Sequence, residues 1–498
     1  MLAPSFAKYE INRTKWGFQH AVSAQKKIFL ELIAKGRKTK FGEEHRFEHI
    51  KNHQDYKLEV PVRDYEGIKN YIEEIKSGKE NILWPGIPVY FAKTSGTTSG
   101  VKFIPITRDS ISNHIFTARL ALLQYIYYTG KPAFTDGKLI FLSGSPELET
   151  KGEIKTGRLS GIVNHHIPAY LRTNQLPSYR TNSIEDWPRK LDQIVEETIT
   201  QDMRLISGIP PWLQMYFDSL TEKTGKKIKD VFPNFQLLVH GGVNFAPYKD
   251  KLLASIGGEV DLLETYPASE GFIAFQDYNA DEGLLLNTDA GIFYEFIPAT
   301  EIFDSHPTRL SLEEIKTGEN YAIILSTNAG LWAYNLGDTI KFLSVDPYRI
   351  VVTGRIKQFI SAFGEHVIAE EVETAIQEAA AESHALIREF TVAPKMKIDT
   401  ELPAHEWFIE FDRSPYDRSL FASRLNMIMQ KKNIYYADLQ KGKILQPLII
   451  HTLKPGSFHA YMNSIGKLGG QNKVPHLSND RNIVEYFINN AMTENGIA

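Results

Sequence analysis

The chain has 498 residues, 23% of them charged, with 56 basic against 60 acidic side chains, a formal net charge of −4, and no cysteine. That near balance argues against nucleic acid as the main partner and gives no general attraction to a membrane surface. The missing thiols exclude disulfides, thiolate metal sites, iron–sulfur clusters, cysteine nucleophiles and an acyl thioester on the enzyme's own side chain.

A chain of this length is expected to form two or more domains. Its first residues lack a basic segment followed by an apolar core, so no signal peptide is expected. No apolar run approaches the roughly 18–20 residues needed to span a bilayer, and the cytoplasm is the expected location. Residues 1–85 read as mainly helical, with amphipathic spacing at 24–34 and 65–75. From 88 to about 352 the pattern changes. Short apolar runs at 138–142, 203–206, 236–239, 260–264 and 321–326 alternate with helix-like segments such as 110–128 and 191–199, the pattern of buried strands in α/β architecture. Several runs end in glycine turns, as in Ser207-Gly208-Ile209-Pro210-Pro211 and His240-Gly241-Gly242-Val243. Ligands gather at such loops in open α/β sheets.

A domain boundary is expected at Gly354-Arg355, dividing a large α/β domain, 1–354, from a small α+β domain, 355–498. Strands are expected on either side of that boundary, at 349–353 and 356–361. Then follow a helix at 369–380 with Val372, Ile376 and Ala379 on one face, strands at 389–393 and 406–411, a helix at 420–431 and a strand at 448–453. A small mobile domain beside a large one suits an enzyme that closes over its substrate.

Five local patterns carry chemistry. Thr94-Ser95-Gly96-Thr97-Thr98-Ser99-Gly100, followed by Val101 and Lys102, sits between β-like runs at 87–92 and 103–106. Such a loop bends tightly and aims N–H and O–H donors inward, as a triphosphate needs; a Ser/Gly-rich surface turn is the competing reading. Tyr266-Pro267-Ala268-Ser269-Glu270-Gly271 follows a strand. It is either an ordinary hairpin turn or a purine-stacking tyrosine, a phosphate-holding hydroxyl and a Mg²⁺-ligating carboxylate on one turn. Tyr334-Asn335-Leu336-Gly337-Asp338 reads in isolation as a turn, although a carboxylate at a strand end also accepts both ribose hydroxyls. Gly354-Arg355, then Gly364-Glu365-His366-Val367, is loop chemistry or a guanidinium on nucleotide oxygens. The late Gly466-Lys467-Leu468-Gly469-Gly470-Gln471-Asn472-Lys473-Val474-Pro475-His476 is an exposed tail or the carrier of a lysine for developing negative charge.

Other chemistries fit worse. The phosphate-loop motif Gly-x-x-x-x-Gly-Lys-[Ser/Thr], His-Glu-x-x-His, Gly-x-Ser-x-Gly and Gly-x-Gly-x-x-Gly are all absent. His165 and His166 are adjacent, and neighbouring side chains on a strand face different ways, so a pocket or structural role is expected before a metal site.

Taken in order, the five patterns resemble the adenylate-forming superfamily of acyl- and aryl-CoA ligases, peptide-synthetase adenylation domains and luciferases. Within it, Tyr266–Glu270 and the tail 470–475 are most similar to the acyl acid amido synthetases of the Gretchen Hagen auxin-responsive family. Segments 207–212 and 455–471 also resemble its compact bacterial members. The resemblance runs from about Lys93 to Pro475.

The resemblance implies a two-step reaction. A carboxylate attacks the α-phosphate of ATP, giving an acyl-adenylate and pyrophosphate. The amine of an amino acid or similar compound then attacks the carbonyl and releases AMP. It further implies that Thr94–Gly100 wrap the ATP phosphates, chiefly through Ser95, Thr97 and Thr98, with Lys102 at the loop exit. Tyr266 would lie against adenine, Ser269 near the α-phosphate and Glu270 on Mg²⁺. Gly241 and Gly242 would admit the base, Asp338 would take the ribose hydroxyls and Arg355 would help hold the nucleotide. Lys473 would act in adenylation, with Lys467 as its competitor. The acyl pocket is expected near Ser143–Ser145, 164–170 and 207–212, with Tyr170, Trp212 and Phe245 as wall and Arg158 or His166 steering a carboxylate. An acyl-CoA ligase, or a nucleotide binder without turnover, are the alternatives. The sequence departs from the family pattern where plant members carry Arg at Asn335, in the tail Gly470–His476, and at His366, where a phosphate-directed lysine is expected. The identities of the acid and the amine, and the oligomeric state, are not readable.

Overall fold

The computed structural model describes residues 2–95, 101–151, 154–167, 172–184, 186–242, 245–277, 282–302, 304–356, 359–360, 367–395, 402–441, 445–467, 474–478 and 481–497. The chain forms two compact units: Met1–Leu336 with Ile340–Val352, and Gly337–Thr339 with Thr353–Ala498.

The N-terminal region is helical for identifiable reasons. Helix Tyr65–Lys76 starts where the Asp64 carboxylate accepts from the backbone N–H groups of Glu66 and Gly67, and it buries Tyr65, Ile68, Ile72 and Ile75 at helical spacing. Helix Ile111–Thr129 stops at Gly130, whose φ of 68° closes the last turn.

The strands in chain order are β1 (Tyr90–Ser95), β2 (Val101–Ile106), β3 (Lys138–Phe141), β4 (Glu149–Lys151), β5 (Ile154–Gly157), β6 (Gln175–Leu176), β7 (Met203–Gly208) and β8 (Leu237–Gly241). They continue as β9 (Asp261–Ala268), β10 (Gly271–Phe275), β11 (Leu284–Leu286), β12 (Ile292–Pro298), β13 (Asn320–Thr327), β14 (Tyr334–Val345) and β15 (Tyr348–Arg355). A long mixed sheet has the order β12-β13-β14-β15-β11-β10-β9-β8-β7-β3-β6, and a small one the order β2-β1-β5-β4. From β6 to β9 the neighbours are parallel; from β9 through β10 and β11 to β15 they are antiparallel.

The parallel half is apolar on both faces, as a sheet covered by helices on each side must be. Leu205, Leu237, Val239 and Leu263 pack with Ala7, Ile11, Leu120 and Leu123 of the covering helices. Ile206 and Leu238 pack on the other side with Trp212, Tyr216, Phe217 and Leu252.

In the second unit, β16 (Phe359–Ile360) pairs with β17 (Val367–Ile368). A four-stranded sheet follows in the order β18 (Leu386–Lys395), β19 (Ala404–Arg413), β20 (Ile449–Leu453) and β21 (Met492–Ile497). Alternate side chains serve opposite faces. Phe390, Val392, Trp407 and Ile409 pack with Val372, Ile376, Leu425 and Met429. Ala393 and Phe408 pack with Phe458, Val484 and Phe487.

Two local expectations are corrected. The strand expected at 260–264 continues to Ala268, so Tyr266 and Pro267 are strand residues and only Ser269 and Glu270 form the hairpin turn, Gly271 pairing with Ala268. Tyr334–Asp338 is the opening of β14 rather than a turn. Gly337 has φ 87° there, a conformation open to glycine. Helices Ser457–Ser464 and Asn482–Asn490 and strand β21 were not anticipated.

Candidate active site

The hydroxyl-rich loop joins two paired strands. β1 and β2 are antiparallel with Thr94 opposite Lys102 and Ser95 opposite Val101. Gly96, Thr97, Thr98, Ser99 and Gly100 lie outside the described residues. The exit of the loop is tied to the N-terminal helices. The Lys102 ammonium lies 5.7 Å over the Tyr65 ring, and the Phe103 N–H donates to the Tyr65 hydroxyl at 3.0 Å.

The same short segment reaches the third motif. Arg63 N–H donates to Ala333 O at 3.1 Å, and Asn335 N–H donates to Arg63 O at 2.9 Å. Tyr334 is therefore held beside Asp64 and Tyr65 by backbone pairing. The Glu270 carboxylate lies close enough for its charge to act on the Tyr334 phenol. Burial first, then the negative charges of Glu270 and Asp64, push the Tyr334 pKa well up, so the phenol stays a donor. The loop exit, the β9–β10 turn and the start of β14 are thus neighbours within the first unit: Lys102 lies over Tyr65, and Glu270, Asp64 and Tyr65 act electrostatically on Tyr334. Sequence reasoning named Glu270 and Lys102 and quoted Tyr334 at the head of its motif without giving it a role; it assigned nothing to Tyr65.

A second group sits at the ends of the parallel strands. His240 and Glu264 are register partners on β8 and β9, as are Gly241 and Thr265. Gly241 is there because a Cβ at that position would stand 2.1 Å from the Thr265 carbonyl oxygen; Gly242 has φ 77°. The His240 ring is buried, stacks on Phe245 at 3.8 Å, and has its pKa pushed down to about 3 by burial. Burial also pushes the Glu264 carboxyl up to about 6. Both are polar residues interrupting apolar runs, which was the signal available in the sequence. Tyr266, two residues on, is buried in the apolar cluster around Ile273 and Tyr294.

The expected acyl-pocket residues are distributed as follows. Trp212 is buried against Trp187, ring centroids 4.5 Å apart, and shares an apolar cluster with Phe245. His166 shares a hydrogen bond of 3.1 Å with the hydroxyl of Tyr90, the first residue of β1; burial and then His165 hold its pKa down. Arg158 precedes helix Leu159–Asn164. Its charge, after burial, lowers the pKa of Lys190 to about 8. Lys190 is itself buried and donates to Ser143 O at 2.8 Å and Asn182 O at 2.7 Å. Tyr170 lies outside the described residues.

In the second unit, Asp338 is a buried residue of β14. Its neighbour Thr339 accepts from the Thr353 hydroxyl at 2.9 Å. Arg355 closes β15. Lys467 is exposed just after helix Ser457–Ser464, its N–H bonded to Met462 O at 2.8 Å. Lys473 and His366 lie outside the described residues. Among the described residues no group of three or more His, Asp and Glu is placed to hold a metal ion. A Mg²⁺ held by one carboxylate and by substrate oxygens needs no such group, and Glu270, on a solvent-reachable turn, fits that donor set. No helix among the described residues is long and apolar enough to cross a membrane.

Three models of one family match the chain: the GH3 family N-terminal domain over residues 17–186, the central domain over 285–355 and the C-terminal domain over 370–482. Together they span well over half of it. The chain belongs to the GH3 family. Among GH3 relatives, it is 24% identical to the jasmonoyl–L-amino acid synthetase JAR4 of Nicotiana attenuata, over 57% of this chain and 60% of that protein. It is 22% identical to the indole-3-acetic acid-amido synthetase GH3.15 of Arabidopsis thaliana, over 89% of this chain and 88% of that protein. The fold is that of the AtGH3.15 acyl acid amido synthetase solved with 2,4-DB, with a TM-score of 0.81 at 16% identity, covering 98% and 97% of the two chains. A 2-hydroxyisobutyryl-CoA ligase in the postadenylation state has a TM-score of 0.53 at 11% identity, covering 83% and 81%. The fold is therefore shared with a GH3 acyl acid amido synthetase and, more distantly, with a CoA ligase.

Proposed function

We propose that this GH3 chain activates a carboxylic acid with ATP as an acyl-adenylate and transfers the acyl group to the amine of an amino acid or similar compound, releasing AMP and pyrophosphate. The observation that carries the reading is the Glu270–Tyr334 pair, neighbouring through Tyr65 the exit of the hydroxyl-rich loop in a chain of this family. Both partners of the first step are anions, so the site must supply positive charge and hydrogen-bond donors while aligning the carboxylate with the α-phosphorus.

In this reading Thr94, Ser95, Gly96, Thr97, Thr98 and Ser99 donate to the phosphates. Tyr266 and the Gly241-Gly242 turn bound the adenine, Ser269 faces the α-phosphate, Asp338 takes the ribose hydroxyls and Arg355 supports the nucleotide. Glu270 would hold Mg²⁺, which when bound would neutralise phosphate charge. Tyr334 stands beside that carboxylate as a donor. Lys473, or Lys467, supplies the cation for adenylation. His166, Tyr170, Trp212 and Phe245 are assigned to the acyl side. The partners are small molecules, and the expected location is the cytoplasm.

The carboxylate oxygen forms a bond to the α-phosphorus as pyrophosphate leaves. In the second step the amine forms the C–N bond, AMP leaves, and the ammonium proton passes to solvent or a nearby base. Carboxylate-dependent exchange of labelled pyrophosphate into ATP tests the first step. Exchange with at least one acid of an aromatic, cyclic-lipid and fatty-acid panel is expected; ATP binding without exchange by any of them would reject the reading.

A further inference from the structure

Glu264 is a carboxylate whose backbone the fold fixes while its side chain is left without a partner among the described residues. Its N–H donates to Gln276 Oε1 at 3.0 Å, and its carbonyl accepts from Gln276 N–H at 2.8 Å. It stands near the end of the parallel pairing, opposite His240 and one register position before Gly241 and Thr265. Open α/β sheets receive their ligands at such strand ends. Leu262, two residues earlier, packs on the cluster that holds Trp212 and Phe245, and strand alternation turns Glu264 to the same face. His240 faces that side too, its ring stacked on Phe245.

Neither polar end of this register pair is satisfied within the described residues. His240 Nδ1 is buried without a hydrogen-bond partner, and burial alone acts on the Glu264 carboxyl, with no lysine, arginine or second carboxylate among the described residues opposing or assisting it. The helices covering that face contribute two further titratable groups, Tyr248 and Tyr216, and the Tyr216 hydroxyl donates to Thr198 at 2.7 Å. From β10 the neighbour is the amide Gln276. A desolvated, unbonded carboxylate costs stability, and a group kept at that cost points to a ligand. A lone carboxylate beside an apolar cluster selects a cation that carries N–H donors. His240, held neutral by burial, adds no positive charge to repel it.

We propose that Glu264 is the general base of the second half-reaction: its carboxylate takes up the ammonium group of the amine substrate and removes a proton from it. The inference rests on the adenylation reading given above. Desolvation disfavours both charges of a carboxylate–ammonium pair, and passing the proton from nitrogen to oxygen removes both. An N–H bond of the ammonium breaks as an O–H bond forms on Glu264. The freed nitrogen lone pair then forms the C–N bond to the acyl carbonyl. The bond from that carbon to the phosphate oxygen breaks, its electron pair leaves with AMP, and the second nitrogen proton goes to solvent.

The test uses the full chain, an acid that supports pyrophosphate exchange, and two nucleophiles. One is an amino-acid mixture, protonated at neutral pH; the other is hydroxylamine, whose nitrogen is already unprotonated there. In Glu264→Gln, exchange and hydroxamate formation stay within about threefold of the parent while amide formation falls about 100-fold, the scale for a general base. In the parent, kcat/KM for the amine falls as pH drops through about 6, and the variant lacks that limb. Parental amide formation in folded Glu264→Gln, or the same loss with both nucleophiles, overturns the assignment. Lost exchange also overturns it, because Glu264 would then serve the acid. If Glu264→Gln does not fold, Glu264→Asp is read instead: a loss of about 10-fold confined to amino acids supports the base, and an unchanged rate overturns it. A parent chain that exchanges with no acid rejects the adenylation reading itself, and this assignment with it.

Discussion

At Glu270 a hairpin turn, a tyrosine from a distant strand and the expected metal position share one carboxylate. Removing it in Glu270→Ala is expected to lower pyrophosphate exchange by about 100-fold or more, the scale for losing a preorganised electrostatic group. Tyr334→Phe removes only the phenol hydroxyl beside it and is expected to cost about 10-fold in exchange. Parental exchange in both variants would dissolve the proposed assembly. Glu264 makes a different prediction, in stability. Its folded-state pKa, about 6, is raised by burial, so its favourable contribution is full below the unfolded value and is lost as pH rises through 6. Glu264→Gln should therefore raise thermal stability at pH 8 by about 1–2 kcal/mol and give no gain at pH 4. Equal shifts at both pH values would show that the carboxyl is not buried as described. The turn at Ser269 and Glu270 could be read from sequence because small hydroxyl residues and glycine favour turns, and the strands flanking the hydroxyl-rich segment were legible as apolar runs, while residues 96–100 themselves lie outside the described residues. His240 and Glu264 were not singled out, because a polar residue inside an apolar run looks the same whether its side chain meets solvent or a buried strand end.

Among the elements, the helices that were expected were legible nearly to their ends, although Pro210–Thr224, Ala246–Ile256, Ser457–Ser464 and Asn482–Asn490 were not expected. Helix Tyr65–Lys76 carries its own start signal in Asp64 and its own buried stripe, and both are local. Strands were legible as runs but not in extent. β9 continues through Tyr266 and Pro267 because β10 pairs back on it, and a pairing partner leaves no mark in the strand's own sequence. The attachment of the N-terminal helices to the sheet was invisible for the same reason. It rests on Glu295 of β12, fully buried, which accepts from Arg309 at 2.9 and 2.8 Å and from His53 at 2.7 Å. Arg309 also donates to Val60 O at 2.6 Å. Arg309→Met leaves that carboxylate short of its main partner and is expected to cost about 3–5 kcal/mol, read from the urea midpoint. A loss below 1 kcal/mol would mean the pair adds little to docking.

For the whole molecule, the mixed α/β class followed from the alternation of apolar runs and helical stripes, and the family followed from the order of motifs rather than from any one of them. What stayed unread was the C-terminal end, where helix Asn482–Asn490 and β21 complete the sheet of the second unit. That unit has apolar clusters on both faces of its sheet. Residues 353–498 expressed alone are expected to unfold cooperatively, as a unit with its own core does. A fragment without a cooperative transition would contradict that. The central claim concerns chemistry, and product analysis tests it most directly. The purified chain is incubated with Mg-ATP, an acid that supports pyrophosphate exchange, and either an amino-acid mixture or coenzyme A, and the products are separated by mass. The account predicts an N-acyl amino acid with AMP in equal amount, and no thioester. A thioester in place of the amide, or AMP release that no amine accelerates, would contradict it.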